Sequence, residues 1–354
     1  MICVNPKENL LSVLSGDAVD VTPVVSVTQL AVTEAMDKIG ASWSEAHSDP
    51  EKMAKLGSSL YELAGLECTR IPFCLTVEAE AIGAKVDLGG KDKPPQVLSS
   101  PFSNAEDIDI PSDFLDNGRI PTVLKAIEIL KETYEDLPII VGITGPFTLT
   151  GHLIGVENLV RLLKTDIYEV EDAVENSLDA CMDYVEALME VEPDVICVAE
   201  PTASPELIDP LQFKSIVKPR LEDLSGFINV KKVLHICGST QDIIIDMASI
   251  GYDGISIEEK VDIAKAKEDI EKCSSQSVGG KCLPDTGNSS SVIVGNISTS
   301  QTLFTGSVED VKGDVKKVLE AGVDVLAPSC GIAPLSPIAN IKAMIEARNE
   351  YFNI

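Results

Sequence analysis

The sequence predicts an α/β fold, and among α/β folds a (β/α)8 TIM barrel with an N-terminal helical extension. Three observations carry this. Strand-like and helix-like stretches alternate along the chain, eight times over. The strand-like runs are continuously apolar, as in Val195-Ile196-Cys197-Val198-Ala199, which calls for cover on both faces of a parallel sheet. The chain of 354 residues also fits one large barrel, and residues 1–354 are taken as a single domain. Eight repeats favour a closed barrel; an open doubly wound sheet stays available, because no short segment separates the two.

The elements follow in order. Residues 10–14 belong to a first helix, and Val24-Val25-Ser26-Val27 forms the first strand. Residues 31–39 are helical by pattern. Asp49-Pro50 starts the next helix, with Met53, Ala54, Leu56, Leu60 and Leu63 at helical spacing. The second strand covers about 66–72, and 86–89 forms a short side strand. Residues 90–113, rich in Lys, Asp, Pro and Ser, read as an ordered loop before a helix with Val123, Leu124, Ile127 and Leu130 on one face. The remaining strands are 138–143, 195–199, the stretch ending at His235, 254–257, 292–296 and 325–328. Helices fill the intervals from about 148, through 182–189, and over 205–227, 243–250, 261–270 and 308–321, with a closing helix over 335–351. Residues 272–291 carry little apolar content and read as a surface insertion; Cys273 and Cys282 within it read as two surface thiols.

Composition narrows the partners. With 57 acidic against 28 basic residues the formal net charge is −29, which disfavours nucleic acid and anionic membrane surfaces. An anionic small molecule would need a local basic group against that background. No apolar run reaches the ~20 residues of a membrane span, and the first fifteen residues do not form a signal peptide. The nine cysteines are odd in number, which points to a reduced cytoplasm and away from a disulfide framework. There is no Walker loop, and no GxGxxG follows the first strand.

Barrel chemistry collects at the carboxyl ends of the strands. The polar residues there are Arg70, Thr144, Glu200, His235, Cys237, Glu258, Asn296 and Cys330. In Leu234-His235-Ile236-Cys237-Gly238, strand alternation puts the imidazole and the thiol on one face. Ser329-Cys330-Gly331 supplies a second thiol at another strand end. One imidazole and two thiols are soft donors suited to Zn²⁺, and three protein ligands leave one position open. The competing reading makes His235 a satisfied core histidine and the cysteines small buried apolar groups. The common placement of all three on the rim favours the metal. His47 and His152 read as surface or structural residues.

Gly145-Pro146-Phe147-Thr148-Leu149 with Gly151 and Gly155, the Glu80-Ala81-Ile82-Gly83 segment, the His-x-Cys strand end and Ser329-Cys330-Gly331 resemble the uroporphyrinogen decarboxylase superfamily. Within it the sequence is similar to the methylcobamide:coenzyme M methyltransferases of methanogenic archaea. The resemblance covers nearly the whole chain. It implies a (β/α)8 barrel with zinc on His235, Cys237 and Cys330, and Glu258 as the acidic residue that holds the fourth position before a thiol arrives. It also implies methyl transfer from a methylated corrinoid protein to coenzyme M. No Asp-x-His-x-x-Gly occurs, so the corrinoid is expected on a separate protein. Arg70 and Asn296 are candidates for the coenzyme M sulfonate. Homocysteine or a folate as acceptor, or a non-catalytic zinc scaffold for a corrinoid protein, are the alternatives. Two departures stand out. The Arg-rich start of the decarboxylases is missing, and Cys74 stands where they carry an active-site Asp, which argues against porphyrinogen decarboxylation. The 272–291 segment has no counterpart in the resemblance.

Overall fold

The computed structural model describes residues 5–275 and 291–354. The strands are β1 (Thr69–Ile71), β2 (Lys85–Asp87), β3 (Gln96–Ser99), β4 (Ile139–Thr144), β5 (Val195–Ala199), β6 (Lys231–His235), β7 (Gly254–Ser256), β8 (Val292–Ile297) and β9 (Val325–Pro328). β1 and β4 to β9 pair in parallel in chain order. Every residue of β4 and β5 is buried, as continuous apolar strands between a packed barrel interior and a helical ring require.

The eighth barrel position is filled by residues 23–26, the stretch expected as the first strand. It is reduced to one parallel bridge, Val24 to Leu326 of β9. Val25 N–H donates to Leu326 O at 3.1 Å, and Leu326 N–H donates to Pro23 O at 3.0 Å. On its other side, Glu67 N–H donates to Val24 O at 2.9 Å, while the Glu67 carboxylate accepts from Val24 N–H at 2.9 Å. Cys68 Sγ accepts from Ser26 N–H at 3.3 Å. Side chains therefore take the N–H groups that a neighbouring strand would take, so the segment closes the barrel without extending its ladder. Ahead of it, Pro6–Leu14 forms the N-terminal helix, capped by the Asn5 side chain on Glu8 N–H.

Two expectations change. The 90–113 segment is not all loop: β3 lies in it and pairs antiparallel with β2, with Val86 opposite Val97. Gln96-Val97-Leu98-Ser99 sets its two apolar residues side by side instead of alternating, and Leu98 is exposed, so the segment carries little strand signal alone; the partner supplies it. The 205–227 stretch is not one helix. Pro210–Gln212 is α-helical, Phe213–Val217 is a π-turn, and Lys218–Phe227 resumes the α-helix. Pro219 lacks the N–H that a regular ladder would use, and the wide turn lies just before it. Most of the expected 272–291 insertion, Cys282 included, lies outside the described residues. No described helix is long and apolar enough to cross a membrane.

Candidate metal centre

β6 ends at His235, which stands in register with Ala199 of β5 and Ser256 of β7. Ile236 is fully buried, so the alternation persists one step past the strand and brings Cys237 back beside His235. Gly238 then turns with φ +86°. A Cβ there would meet Ser204 Oγ at 2.6 Å, so the turn needs glycine. Cys330 lies two residues past β9, after Ser329 donates its N–H to Ile297 O at 2.8 Å.

These three side chains converge. His235 Nε2 lies 3.2 Å from Cys237 Sγ, and Cys237 Sγ lies 3.6 Å from Cys330 Sγ. One ligand atom from each falls within 4.8 Å of the others, and no other such group of three occurs among the described residues. The imidazole is 2% exposed, and its Nδ1 lies 3.0 Å from Ser256 Oγ. A ring that ligates through Nε2 carries its proton on Nδ1, so Ser256 then accepts. The Cys237 thiol hydrogen-bonds the Cys330 sulfur. That bond, with the His235 imidazole, holds Cys330 well below the usual thiol range, while Cys237 keeps its proton. A donor set of one imidazole nitrogen and two sulfurs fits zinc, and Ser256 adds the outer contact that such histidines need.

Glu258 lies at the edge of this group, two residues past β7, with its carboxylate outside the 4.8 Å set. Gly238 N–H donates to it, Lys260 lies 3.9 Å away, and burial together with the nearby Cys330 sulfur pushes its carboxyl up. Asn296 is not among the residues that line the triad's cavity. Its Nδ2 donates to Glu258 O and to Val261 O, both at 3.0 Å, and so braces the segment that carries Glu258.

The triad opens into a cavity of 340 Å³ also walled by Arg70, Cys74, His152 and the Pro94-to-Val97 side of the hairpin. Arg70 is 2% exposed and has no ion-pair partner among the described residues. Its guanidinium donates only to the backbone carbonyls of Val27 and Pro72. Gly142 makes room for it, since a Cβ there would lie 1.7 Å from Nη2. A buried guanidinium with spare donors beside a cavity is the basic group an anion would need in this acidic chain. Of the two readings, surface or structural, His47 takes the structural one, fully buried against Phe73 and Arg119, while His152 is half-buried and lines the cavity. Ser256 went unnoticed in sequence. Its only signal was a hydroxyl among apolar neighbours at a strand end, opposite His235 in a register that sequence does not show.

The uroporphyrinogen decarboxylase (URO-D) family model matches residues 5–351. The chain belongs to this family. It is 43% identical over 350 residues to the methylcobamide:CoM methyltransferase MtaA of Methanosarcina barkeri, covering 98% of both chains. It is 37% identical over 355 residues to the methylcobamide:CoM methyltransferase MtbA of Methanosarcina mazei, again covering 98% of both. A solved methyltransferase from Methanosarcina mazei superposes with a TM-score of 0.90 at 40% identity, over 98% of this chain and 99% of that one. A B12-independent methionine synthase from Shewanella sp. W3-18-1, at 15% identity and a TM-score of 0.58 over 94% of this chain and 98% of its own, shares the fold. Within the family, the chain stands with the methyltransferases and is an enzyme of that class.

Proposed function

We propose that this enzyme transfers a methyl group from a methylated corrinoid, carried on a separate corrinoid protein, to the thiol of coenzyme M, with zinc held by His235, Cys237 and Cys330. The observation that carries the reading is one imidazole and two thiols converging in a cavity that also holds an unpaired, buried Arg70. The substrate is a thiol at one end and a sulfonate at the other. The cavity offers a soft-ligand corner and a fixed cation to match.

Zinc in that corner would hold the incoming thiol as an electron-rich thiolate at neutral pH, where a free thiol with a pKa of ~8.5 is mostly protonated. The chain's own groups do the rest. Ser256 fixes the His235 ring. Asn296 and Gly238 hold Glu258 beside the triad, where we assign it the neighbouring position before the thiol arrives. Arg70 receives the sulfonate and sets the thiol end toward the triad, so that proximity lowers the barrier. The sulfur then attacks the methyl carbon in line: the S–C bond forms, the Co–C bond breaks, and the electron pair stays on cobalt as Co(I).

The test is methyl transfer from free methylcobalamin, with coenzyme M or homocysteine as acceptor, with and without a chelator. Coenzyme M is the expected acceptor, with loss of activity on chelation and about one zinc per chain in the purified protein. Cys237→Ala and Cys330→Ala are each expected to lose zinc and activity together. Activity retained in either variant, or transfer to homocysteine alone, would reject the proposal.

A further inference from the structure

One polar group of the cavity wall stays unused by the chemistry above. Gln29 lines the cavity together with Arg70, Cys330 and Gly331. Its backbone is held from both sides. Arg70 Nε donates to Val27 O at 3.3 Å, Ile332 N–H donates to Gln29 O at 2.9 Å, and Thr33 N–H donates to Pro334 O at 2.7 Å. Residues 27–29 therefore run from the buried guanidinium to the loop that carries Cys330. The Gln29 side chain is half-buried and lies over Gly331, where a Cβ would come within 3.4 Å of Gln29 Cβ and 4.0 Å of its Cδ and Oε1. The amide makes no hydrogen bond among the described residues. Unlike the closed-off hydroxyl of Thr28 next to it, it keeps accessible surface.

We propose that Gln29 sets the cavity's preference for a sulfonate over a carboxylate, by donating from Nε2 to the oxygen that Arg70 does not reach. The inference rests on coenzyme M as the acceptor. Both anions carry a single charge at neutral pH, so charge alone does not separate them. Shape does. A carboxylate holds its two oxygens in one plane, and the edge of a guanidinium satisfies both. A sulfonate has a third oxygen outside that plane, which needs a further donor. Arg70 already donates from Nε and Nη1 to the carbonyls of Val27 and Pro72, which leaves it few N–H groups for an anion. An amide N–H supplies the missing donor without adding charge.

The rest of the wall fits this assignment. Thr76 Oγ1 is already committed, donating to Cys74 Sγ at 3.3 Å and accepting from Arg119 Nη2 at 2.7 Å. No Asp or Glu is among the described residues that line the cavity, although the chain carries a net charge of −29. An anion seated between Arg70 and the triad thus meets no fixed negative charge in the wall, and Gln29 is the neutral donor on that side.

The probes are 2-mercaptoethanesulfonate and 3-mercaptopropionate, thiols on the same two-carbon spacer with a sulfonate or a carboxylate end. Each is titrated by calorimetry into the full-length zinc-loaded protein at pH 7, so the readout is a Kd and does not depend on methyl transfer. The wild type is expected to bind the sulfonate at least about tenfold more tightly, because only the sulfonate uses the Gln29 donor. Gln29→Leu is expected to weaken the sulfonate roughly 10- to 100-fold, the loss of a hydrogen bond to a charged group, and the carboxylate by about threefold or less. Gln29→Glu keeps the shape and replaces the donor with an anion; it is expected to weaken the sulfonate at least as much, and decides the matter if circular dichroism shows that Gln29→Leu does not fold. A sulfonate Kd in the folded variants within about threefold of wild type, or equal weakening of both thiols by Gln29→Leu, would overturn the inference. Discrimination present without methyl transfer would uphold it and reject the proposed reaction.

Discussion

Replacing Ser256 with alanine isolates what the outer contact contributes to the metal centre. Ser256 is fully buried, and its Oγ lies 3.0 Å from His235 Nδ1. Removing that oxygen changes one atom, creates little space, and lets no bulk water in to replace it. The imidazole loses the contact that selects the Nδ1–H tautomer and aims Nε2 toward Cys237, 3.2 Å away. Outer partners of this kind contribute about 10- to 100-fold in metal affinity, which corresponds to roughly 1.4–2.7 kcal/mol. Ser256→Ala should therefore bind zinc that much more weakly while keeping the wild-type circular dichroism spectrum. Competition against a chromophoric chelator at pH 7 measures it, with His235→Ala as the variant that loses a ligand outright. A Ser256→Ala affinity within about twofold of wild type would refute the argument that this hydroxyl orients the ring.

Gly142→Ala tests Arg70 without changing any charge. The new Cβ would lie 1.7 Å from Arg70 Nη2, so the guanidinium has to move. The KM for coenzyme M should rise about tenfold or more with a smaller change in kcat, as loss of a binding contact to the remote end of a substrate predicts; an unchanged KM would remove Arg70 from the binding site. Glu200 supplies a pH dependence. It is fully buried, and burial pushes its carboxyl up to about 8, against donors from Thr148 and Phe147 N–H. The folded state thus keeps a proton that the unfolded state gives up near the ordinary value of 4.5, and unfolding free energy falls as pH rises between the two. Urea unfolding at pH 5 and pH 8 should show a smaller loss in Glu200→Gln than in wild type, by up to ~4 kcal/mol; equal losses would mean that Glu200 does not hold that proton.

The barrel and the triad were legible for different reasons. Continuous apolar strands such as residues 139–144 announce a doubly covered sheet, because burial on both faces leaves no place for alternation. His235 and Cys237 were found through a rule that acts within one strand, and Cys330 through a matching Cys-Gly at another strand end. The hairpin strand β3 was missed because its pairing with β2, not its own composition, makes it a strand.

Local periodicity and residue chemistry thus determined the fold class, the strand ends and the three soft donors. Tertiary structure decided everything that depends on which strand lies beside which. The register of β6 on β7 sets Ser256 against His235. Closure of the ring through Val24 rests on side chains of Glu67 and Cys68 that stand in for a ladder. Asn296 spends its donors on the backbone of the Glu258 segment. Arg119 meets Cys74 across 45 residues of chain, and no spacing rule reaches that far. Such contacts are fixed by the packing of whole elements, and packing is a property of the assembled barrel that no single segment encodes.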